Sequence, residues 1–263
     1  MLTFLKLGGS LITDKSRART PRPEVLVRLM DEVAAARRAR PELKLVLGHG
    51  SGSFGHVEAS KHGTRGSVRT PGEWRGFAAV QAAAAELNRL VVDAARRAGL
   101  PVLNLPPSAS ALCRDGVIYS LAVEPVKAAL LHDLVPLVFG DVALDDVRGG
   151  TIVSTEDVFR YLAGVMQPER ILLAGIEPGV LARWPGGEIV PRLVPGAAVG
   201  GIGASHDADV TGGMASKVKE MLALVEAVPG VVVRIFSGTT PGLVYAALLD
   251  EAQPGTTIVA QEA

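Results

Sequence analysis

The chain has one cysteine, Cys113, among 263 residues, and it has no surplus of charge of either sign. A single cysteine excludes an intramolecular disulfide and argues against a zinc site built from cysteines. The 27 basic and 27 acidic residues cancel, and no long basic run is present, so the sequence offers no electrostatic footprint for nucleic acid. The lysines that stand beside glycine turns are therefore expected to serve a local anion.

Long apolar stretches are also missing, because no span of 18 apolar residues occurs. The first residues, 1–6, lead directly into a strand pattern without the basic and apolar regions of a secretory signal. We therefore expect a cytoplasmic protein without a membrane partner. The length suits one large domain, or two fused lobes, with a substantial core.

Short β-branched or leucine-rich runs alternate with longer segments of helical periodicity along the whole chain. The predicted strands are 2–7, 43–48, 102–105, 135–139, 170–174, 231–236 and 256–260. The predicted helices are 24–40, 73–99, 124–132, 155–166, 214–228 and 240–252, and the Gly- and Pro-rich stretch 184–203 indicates a hairpin or flap. Such alternation predicts an α/β fold with a mainly parallel sheet, which binds ligands at the carboxyl ends of its strands.

One glycine-rich turn follows the second predicted strand and reads Gly48-His49-Gly50-Ser51-Gly52-Ser53-Phe54-Gly55-His56. Glycines let backbone N–H groups approach an anion, and a following helix directs the positive end of its dipole to the same point. The turn therefore predicts a phosphate cradle with the imidazole of His56 at its rim. It also satisfies G-x-G-x-x-G, which keeps an NAD-dependent oxidoreductase open as an alternative, although that motif belongs after a first strand.

Two further glycine turns stand beside lysines. Gly8-Gly9-Ser10 ends the first predicted strand between Lys6 and Lys15, and Gly212-Gly213 opens a predicted helix one turn before Lys217. Three glycine turns and three lysines suit a nucleoside triphosphate together with a second anion.

In chain order, these three turns and Gly140-Asp141-Val142 resemble the amino acid kinase superfamily, and most of all its isopentenyl phosphate kinase family. The element His-Gly-x-Gly-Ser-Phe-Gly-His is the most specific, because superfamily members that phosphorylate carboxylates lack the final histidine. The resemblance implies a three-layer αβα sandwich. Its N-terminal lobe, about 1–140, would bind the acceptor and form a homodimer, and its C-terminal lobe, about 141–263, would bind MgATP. The implied reaction converts isopentenyl phosphate, an isoprenoid monophosphate, and ATP to isopentenyl diphosphate and ADP.

Phosphoryl transfer needs two anions held in line and their charge neutralised, with little covalent work for the protein. A phosphate acceptor is already largely ionised, since its second pKa is about 6, so no general base is required. The predicted catalytic residues are Lys6, Lys15, His56, Asp157 and Lys217. Of these, His56 is expected to donate a hydrogen bond to the acceptor phosphate. The resemblance implies that Asp157 holds the lysines in position.

The remaining site residues divide between the two ligands. The predicted ATP contacts are Lys6, Gly8, Gly9, Ser10, Lys15, Gly52, Gly175, Gly179, Gly212, Gly213 and Lys217. The predicted acceptor contacts are Ser51, Gly52, Ser53, Gly55, His56, Phe77, Gly140, Asp141 and Glu156, with Phe77 closing a slot for the five-carbon tail. No carboxylate or histidine cluster indicates a metal site made by the protein alone, so Mg²⁺ is expected to arrive with ATP.

Two stretches depart from the family pattern. Residues 176–181 read Ile-Glu-Pro-Gly-Val-Leu where relatives carry Asp-x-Asp-Gly-Val-Tyr, and residues 155–157 read Thr-Glu-Asp where relatives tend to carry Ser-Gly-Asp. A glutamate at position 156 would repel two phosphates unless its side chain turned away. A kinase for the phosphonate fosfomycin and a nucleotide-binding protein without turnover remain open as alternatives.

Overall fold

A computed structural model describes residues 1–64, 66–183, 186–196 and 213–260 of the chain. Its strands are β1 (Leu2–Leu7), β2 (Lys44–His49), β3 (Val102–Asn104), β4 (Leu112–Arg114), β5 (Val117–Ser120), β6 (Val135–Phe139), β7 (Asp141–Asp145), β8 (Gly149–Val153), β9 (Arg170–Gly175), β10 (Arg192–Leu193), β11 (Val232–Ser237) and β12 (Thr256–Ile258). Its α-helices are α1 (Gly9–Ile12), α2 (Pro23–Ala39), α3 (Gly52–His62), α4 (Pro71–Arg97), α5 (Glu124–Leu131), α6 (Thr155–Met166), α7 (Gly213–Ala227) and α8 (Leu243–Leu249).

The main sheet has eight strands in the order β10-β12-β11-β9-β1-β2-β6-β3. All its pairings are parallel except that of β11 with β12. Strand β1 lies at the centre, with Leu5 opposite Leu47 of β2 on one side and Leu172 of β9 on the other. The carboxyl ends of β1, β2, β6 and β9 therefore meet at one edge, where a parallel sheet binds ligands.

Helices cover both faces of this sheet because its strands are apolar on both sides. One buried cluster packs β1, β2 and β9 against α2, α4 and α8, and the other packs the opposite face against α5, α6 and α7. Phe4 and Leu5, adjacent in β1, belong to different clusters, as alternating side chains of a strand require. The three-layer αβα sandwich predicted from the sequence is confirmed.

A second sheet of four strands, β5-β4-β7-β8, was absent from the predicted elements. Its strands are short, and their sequences alternate or carry glycines instead of forming an apolar run. The prediction also omitted α1 and α3, which follow the two glycine turns, and placed the start of α8 too early. Gly242, with φ of 79°, precedes α8 and sets its first residue at Leu243. Of the predicted flap, 184–185 and 197–203 lie outside the described residues, and Arg192–Leu193 forms an edge strand.

Asp145 holds the two turns of the small sheet together. Its carboxylate accepts backbone N–H groups from Asp115, Gly116, Val147 and Arg148, at 2.6–3.1 Å. Burial alone would raise the pKa of this carboxyl, but the four donors hold that pKa below its ordinary value. Because the folded-state pKa is the lower one, the stabilisation is present above the unfolded pKa and is lost as the pH falls through the folded pKa.

We expect Asp145→Asn to lower the free energy of unfolding by about 1–3 kcal/mol at pH 7, because an amide cannot accept on both sides. The deficit relative to the unmodified chain should shrink as the pH falls below about 4. Urea unfolding at several pH values measures both effects. Asp146→Asn is the matched control, because the Asp146 carboxylate is half exposed and contacts the side chains of Arg114, at 3.3 Å, and Tyr119. Equal deficits in the two variants would contradict the prediction.

No helix in the described ranges is long and apolar enough to cross a membrane.

Candidate active site

Two glycine turns form the floor of a cleft at the carboxyl ends of β1 and β2. Gly9 and Gly52 lie so close that a Cβ on Gly9 would stand 2.5 Å from the Gly52 nitrogen, and Gly52 has φ of 51°. Neither position can take a side chain, because the backbones of the two turns are in contact. A hydrogen bond of 2.8 Å from Gly8 N to Ala174 O fixes the first turn against β9.

The residues that begin α1 and α3 line this cleft with unsatisfied backbone donors. Among the described residues, none accepts a hydrogen bond from the N–H groups of Gly9, Ser10, Ser51 or Gly52, and all four residues line the cleft. Helices begin with such unsatisfied donors, and an anion is their natural acceptor. Two sets of donors therefore converge on one space, as a transfer between two phosphates requires.

Three charged side chains meet beside these donors. Lys6 near the end of β1 makes an ion pair with Glu156 in the first turn of α6, and the other oxygen of Glu156 lies 4.0 Å from Lys217 Nζ of α7. Lys6 is 8% exposed and Glu156 5% exposed. Burial lowers the pKa of Lys6, and Glu156 opposes that shift. Burial would raise the pKa of Glu156, but Lys6 and Lys217 hold it below its ordinary value, so we assign a carboxylate between two ammonium groups.

The prediction that Asp157 holds the lysines is wrong, because Glu156 occupies that place. Asp157 instead completes the capping box of α6: its carboxylate accepts from Ser154 N at 2.9 Å, and its own N–H donates to Ser154 Oγ at 3.0 Å. Arg160 lies 3.8 Å from the same carboxylate. The sequence suggested that Glu156 would repel two phosphates. In the structure its negative charge is offset by its two lysine partners, which it holds at the cleft.

The remaining polar residues surround the cradle. His56 of α3 and Lys15, after α1, are half-buried in the cleft wall. Asp141, at the start of β7, is buried there, and its carboxylate accepts from Ser108 N at 3.0 Å and Val142 N at 2.9 Å. Burial raises the pKa of Asp141 despite these donors.

One end of the cleft is apolar. Ala59 of α3, Val80 and Ala84 of α4, and Ile152 of β8 line it. Phe77, the predicted wall, is not a lining residue: it lies behind Val80, edge-on to the Trp74 ring with centroids 5.3 Å apart.

The cleft brings together most of the predicted site residues: Lys6, Gly8, Gly9, Ser10, Lys15, Ser51, Gly52, Gly55, His56, Gly140, Asp141, Glu156, Gly175, Gly179, Gly213 and Lys217. Ser53, Phe77 and Asp157 do not line it. Ser53 Oγ instead accepts from Thr20 N at 3.2 Å, which places its side chain against the loop after α1. Gly212 lies outside the described residues.

The sequence prediction expected Val80 to face the cleft but missed Thr155, Glu177 and the apolar residues Ala59, Ala84 and Ile152. Thr155 Oγ1 donates to His49 O at 2.6 Å and so ties the start of α6 to the end of β2. Ala84, four residues after Val80 on α4, could also have been found from helical periodicity. Within the described ranges, no group of three or more His, Cys, Asp or Glu residues could hold a metal ion.

A mainly parallel αβα sandwich with two glycine turns and a lysine pair at the carboxyl ends of its strands is the architecture of a class of small-molecule phosphotransferases. The family model described as Amino acid kinase family matches residues 1–237, so the chain belongs to the amino acid kinase family.

Within this family, the chain is similar to several isopentenyl phosphate kinases. An isopentenyl phosphate kinase of Methanocaldococcus jannaschii is 31% identical over 267 aligned residues, which cover 98% of each protein. One of Haloferax volcanii is 36% identical over 225 residues, 85% of this chain and 88% of that protein. A solved structure titled "X-ray structures of isopentenyl phosphate kinase" superimposes with a TM-score of 0.84 at 29% identity, covering 98% of this chain and 100% of that one.

Proposed function

We propose that the chain is an ATP-dependent kinase that phosphorylates isopentenyl phosphate to isopentenyl diphosphate, by in-line transfer of the γ-phosphoryl group. One observation carries the proposal: two lysines from different halves of the chain meet at a single buried carboxylate, where two sets of unsatisfied backbone donors converge. The kinases that it resembles over nearly its full length support the choice of acceptor.

The cleft residues divide into two groups in this proposal. On the ATP side we assign Lys6, Gly8, Gly9, Ser10, Lys15, Gly175, Gly179, Gly213 and Lys217, with Gly52 at the border. On the acceptor side we assign Ser51, Gly55, His56, Gly140 and Asp141. Glu156 does not bind either ligand; it sets the spacing of Lys6 and Lys217 so that both ammonium groups meet the transferred group.

In the proposed phosphoryl transfer, none of these residues forms a covalent bond to a substrate. An acceptor phosphate is largely ionised near neutral pH, because its second pKa is about 6, and it attacks the γ-phosphorus without a general base. Charge then spreads over the equatorial oxygens and the leaving oxygen, where Lys6 and Lys217 meet it. His56 donates a hydrogen bond to the acceptor phosphate and keeps its oxygen in line.

We include Mg²⁺ in the proposal as an ion that binds together with the nucleotide, as MgATP. Carried by the phosphates of the nucleotide, whose oxygens suit it as ligands, the ion would neutralise part of the developing charge. The described residues supply no cluster of their own for it. We expect turnover to vanish in excess EDTA and to return with added Mg²⁺, measured as ADP release; full activity in EDTA would contradict this.

The lobes, the assembly and the location belong to the same proposal. We assign acceptor binding and dimerisation to residues 1–140 and nucleotide binding to 141–263, in a cytoplasmic homodimer. Strand β3 supports a contact between copies, because it ends the main sheet and Leu103 on it is 37% exposed. Sedimentation velocity tests the dimer.

The apolar end of the cleft suits the hydrocarbon tail of the acceptor. Ile152 lies directly on it, and Phe77 stands one layer further out, so Ile152→Ala should open room for about two to three methylene groups, each worth about 0.8 kcal/mol. We expect the ratio of kcat/KM for geranyl phosphate over isopentenyl phosphate to rise about ten- to a hundredfold.

Phe77→Ala should raise that ratio less than Ile152→Ala, and the double variant should raise it most. An unchanged KM for ATP is the internal control. If Ile152→Ala left the ratio unchanged, the tail would not lie at this end of the cleft.

The test of the function itself is ADP release with ATP and each candidate acceptor, followed by identification of the product by mass. Isopentenyl phosphate should give isopentenyl diphosphate at a far higher kcat/KM than fosfomycin gives its phosphorylated product. Preference for fosfomycin would reassign the acceptor, and ATP binding without turnover on either would reassign the chain to nucleotide binding alone.

A further inference from the structure

His49 ends strand β2 directly behind the acceptor side of the cradle. It is completely buried and does not line the cleft, whereas the next two residues, Gly50 and Ser51, do. Its ring stacks on Phe139 of β6, with centroids 5.3 Å apart and planes at 6°. Both ring nitrogens have partners: Nδ1 lies 3.1 Å from Gly50 O, and Nε2 lies 3.1 Å from the side-chain amide of Asn88.

The partners of the ring determine which nitrogen carries the proton. Burial and then the charge of Lys6 lower the pKa of His49, so the imidazole is neutral and has one N–H to donate. Gly50 O can only accept, so the proton belongs on Nδ1. The structure places Asn88 Oδ1 against Nε2, and turning the amide over, which leaves its shape unchanged, lets the Asn88 NH₂ donate to Nε2.

The same orientation satisfies the next amide. The structure places Asn88 Nδ2 2.9 Å from Asn104 Oδ1 in β3, and once both amides are turned over the Asn88 oxygen accepts from the Asn104 NH₂. A chain of hydrogen bonds therefore runs from the outer strand of the sheet through Asn88 and His49 to the Gly50 carbonyl.

This chain fixes the peptide between Gly50 and Ser51. In a trans peptide the C=O and the following N–H point to opposite sides, so holding Gly50 O toward His49 directs Ser51 N–H toward the cleft. Glycine alone would leave this peptide free to turn. A Cβ on Gly50 would stand 2.8 Å from Gly9 N, so a bulkier residue at position 50 cannot supply the restraint.

We propose that His49, as the Nδ1–H tautomer, is a positioning residue that holds Ser51 N–H toward the phosphate of the acceptor. The inference rests on the proposed function for the identity of that phosphate. It also gives the buried histidine a task separate from that of His56, which lines the cleft itself.

Two variants of similar size separate this role from simple packing. An asparagine amide at position 49 reaches the place of Nδ1 and can still donate to Gly50 O, whereas a glutamine amide reaches the place of Nε2 and cannot. We expect His49→Asn to keep kcat/KM for isopentenyl phosphate within about tenfold and His49→Gln to lose about ten- to a hundredfold more, with the KM for ATP unchanged in both. Equal losses in both variants, at equal thermal stability, would overturn the proposal.

A second measurement uses the unmodified protein, so it does not require that a variant folds. Nitrogen-15 NMR of labelled histidine reports which ring nitrogen is protonated, and we expect Nδ1–H for the histidine whose signals are insensitive to pH between 5 and 8. An Nε2–H tautomer would overturn the proposal.

The outcomes also separate this inference from the proposed function. If isopentenyl phosphate is not a substrate, the proposed function fails, and pyrophosphate binding measured by calorimetry then takes the place of kinetics. Weaker binding to His49→Gln than to His49→Asn would still support the positioning role, and equal binding would end it.

Discussion

Replacing Lys6 by alanine is expected to lower kcat about a thousandfold while the KM for ATP changes by only a few fold. The ammonium group lines the cleft beside Glu156, where the proposed reaction develops charge on the transferred phosphoryl group. Removing a donor that meets developing charge in a closed site costs about 10²–10³ in rate, and Lys6 carries a full charge as well. The measurement is ADP release under saturating acceptor.

The substitution also leaves a buried carboxylate with only one lysine, so folding must be separated from catalysis. A buried ion pair that loses one partner destabilises a protein by about 3–5 kcal/mol. The double variant Lys6→Ala with Glu156→Gln removes the stranded charge, and we expect it to recover thermal stability without recovering kcat. Recovery of both would mean that Lys6 acts only through folding.

Lys44→Ala is the matched control. Lys44 lies on the neighbouring strand β2, at the amino end of the strand and so at the end of the sheet away from the cleft, where it pairs with Asp133. Its loss should leave kcat within about twofold, since exposed pairs contribute about 0–1 kcal/mol. A Lys6→Ala enzyme as active as the Lys44→Ala enzyme would remove Lys6 from the transfer site.

The glycine turns that line the cleft could be predicted from the sequence, because residues that bind one anion through the backbone lie close together in the chain. Backbone donors must approach the phosphate, so the glycines stand next to each other in the chain, and their lysines lie within a few residues. Seven of the eight strands of the main sheet, all but β10, were also visible, since strands buried on both faces tend to be apolar throughout. The short strands of the second sheet carry no such run, and glycines in β8 weaken its pattern.

Asp157 was predicted to contact the lysines, but Glu156 does so, and this error shows a limit of predicting contacts from local sequence. Neighbouring residues on a helix point about 100° apart, and only the path of the whole chain decides which one faces the lysines. One local signal was available: Ser154 three residues before Asp157 is the spacing of a capping box, which commits Asp157 to the helix start. That left Glu156 as the acidic residue able to reach Lys6.

Phe77 illustrates a different limit. Phe77, Val80 and Ala84 share one face of α4 by their spacing, so periodicity places all three toward the same side. It does not say how far along the helix the cleft extends. In the folded chain Val80 and Ala84 reach the cleft, and Phe77 packs one layer behind, against Trp74.

His56→Ala is expected to lower kcat/KM for isopentenyl phosphate at least a hundredfold, with the KM for ATP changed by no more than a few fold. The imidazole lines the cleft from α3, one turn beyond the unsatisfied donors of Ser51 and Gly52, so its proposed partner is the acceptor phosphate and not the nucleotide. Losing one donor to a phosphate oxygen in the transition state costs about 10²–10³.

Two further variants sharpen the result. His56→Gln should retain more activity than His56→Ala, because an amide N–H can replace the imidazole donor although it carries no charge. His62→Ala is the control on the same helix: His62 lies outside the cleft and 3.5 Å from Glu58, so its loss should leave the kinetics nearly unchanged. If His56→Ala matched His62→Ala in kcat/KM, or if its loss fell mainly on the KM for ATP, the acceptor phosphate would bind elsewhere. The donors of Ser51 and Gly52 would then belong to the nucleotide, and the division of the cleft between its two ligands would have to be reversed.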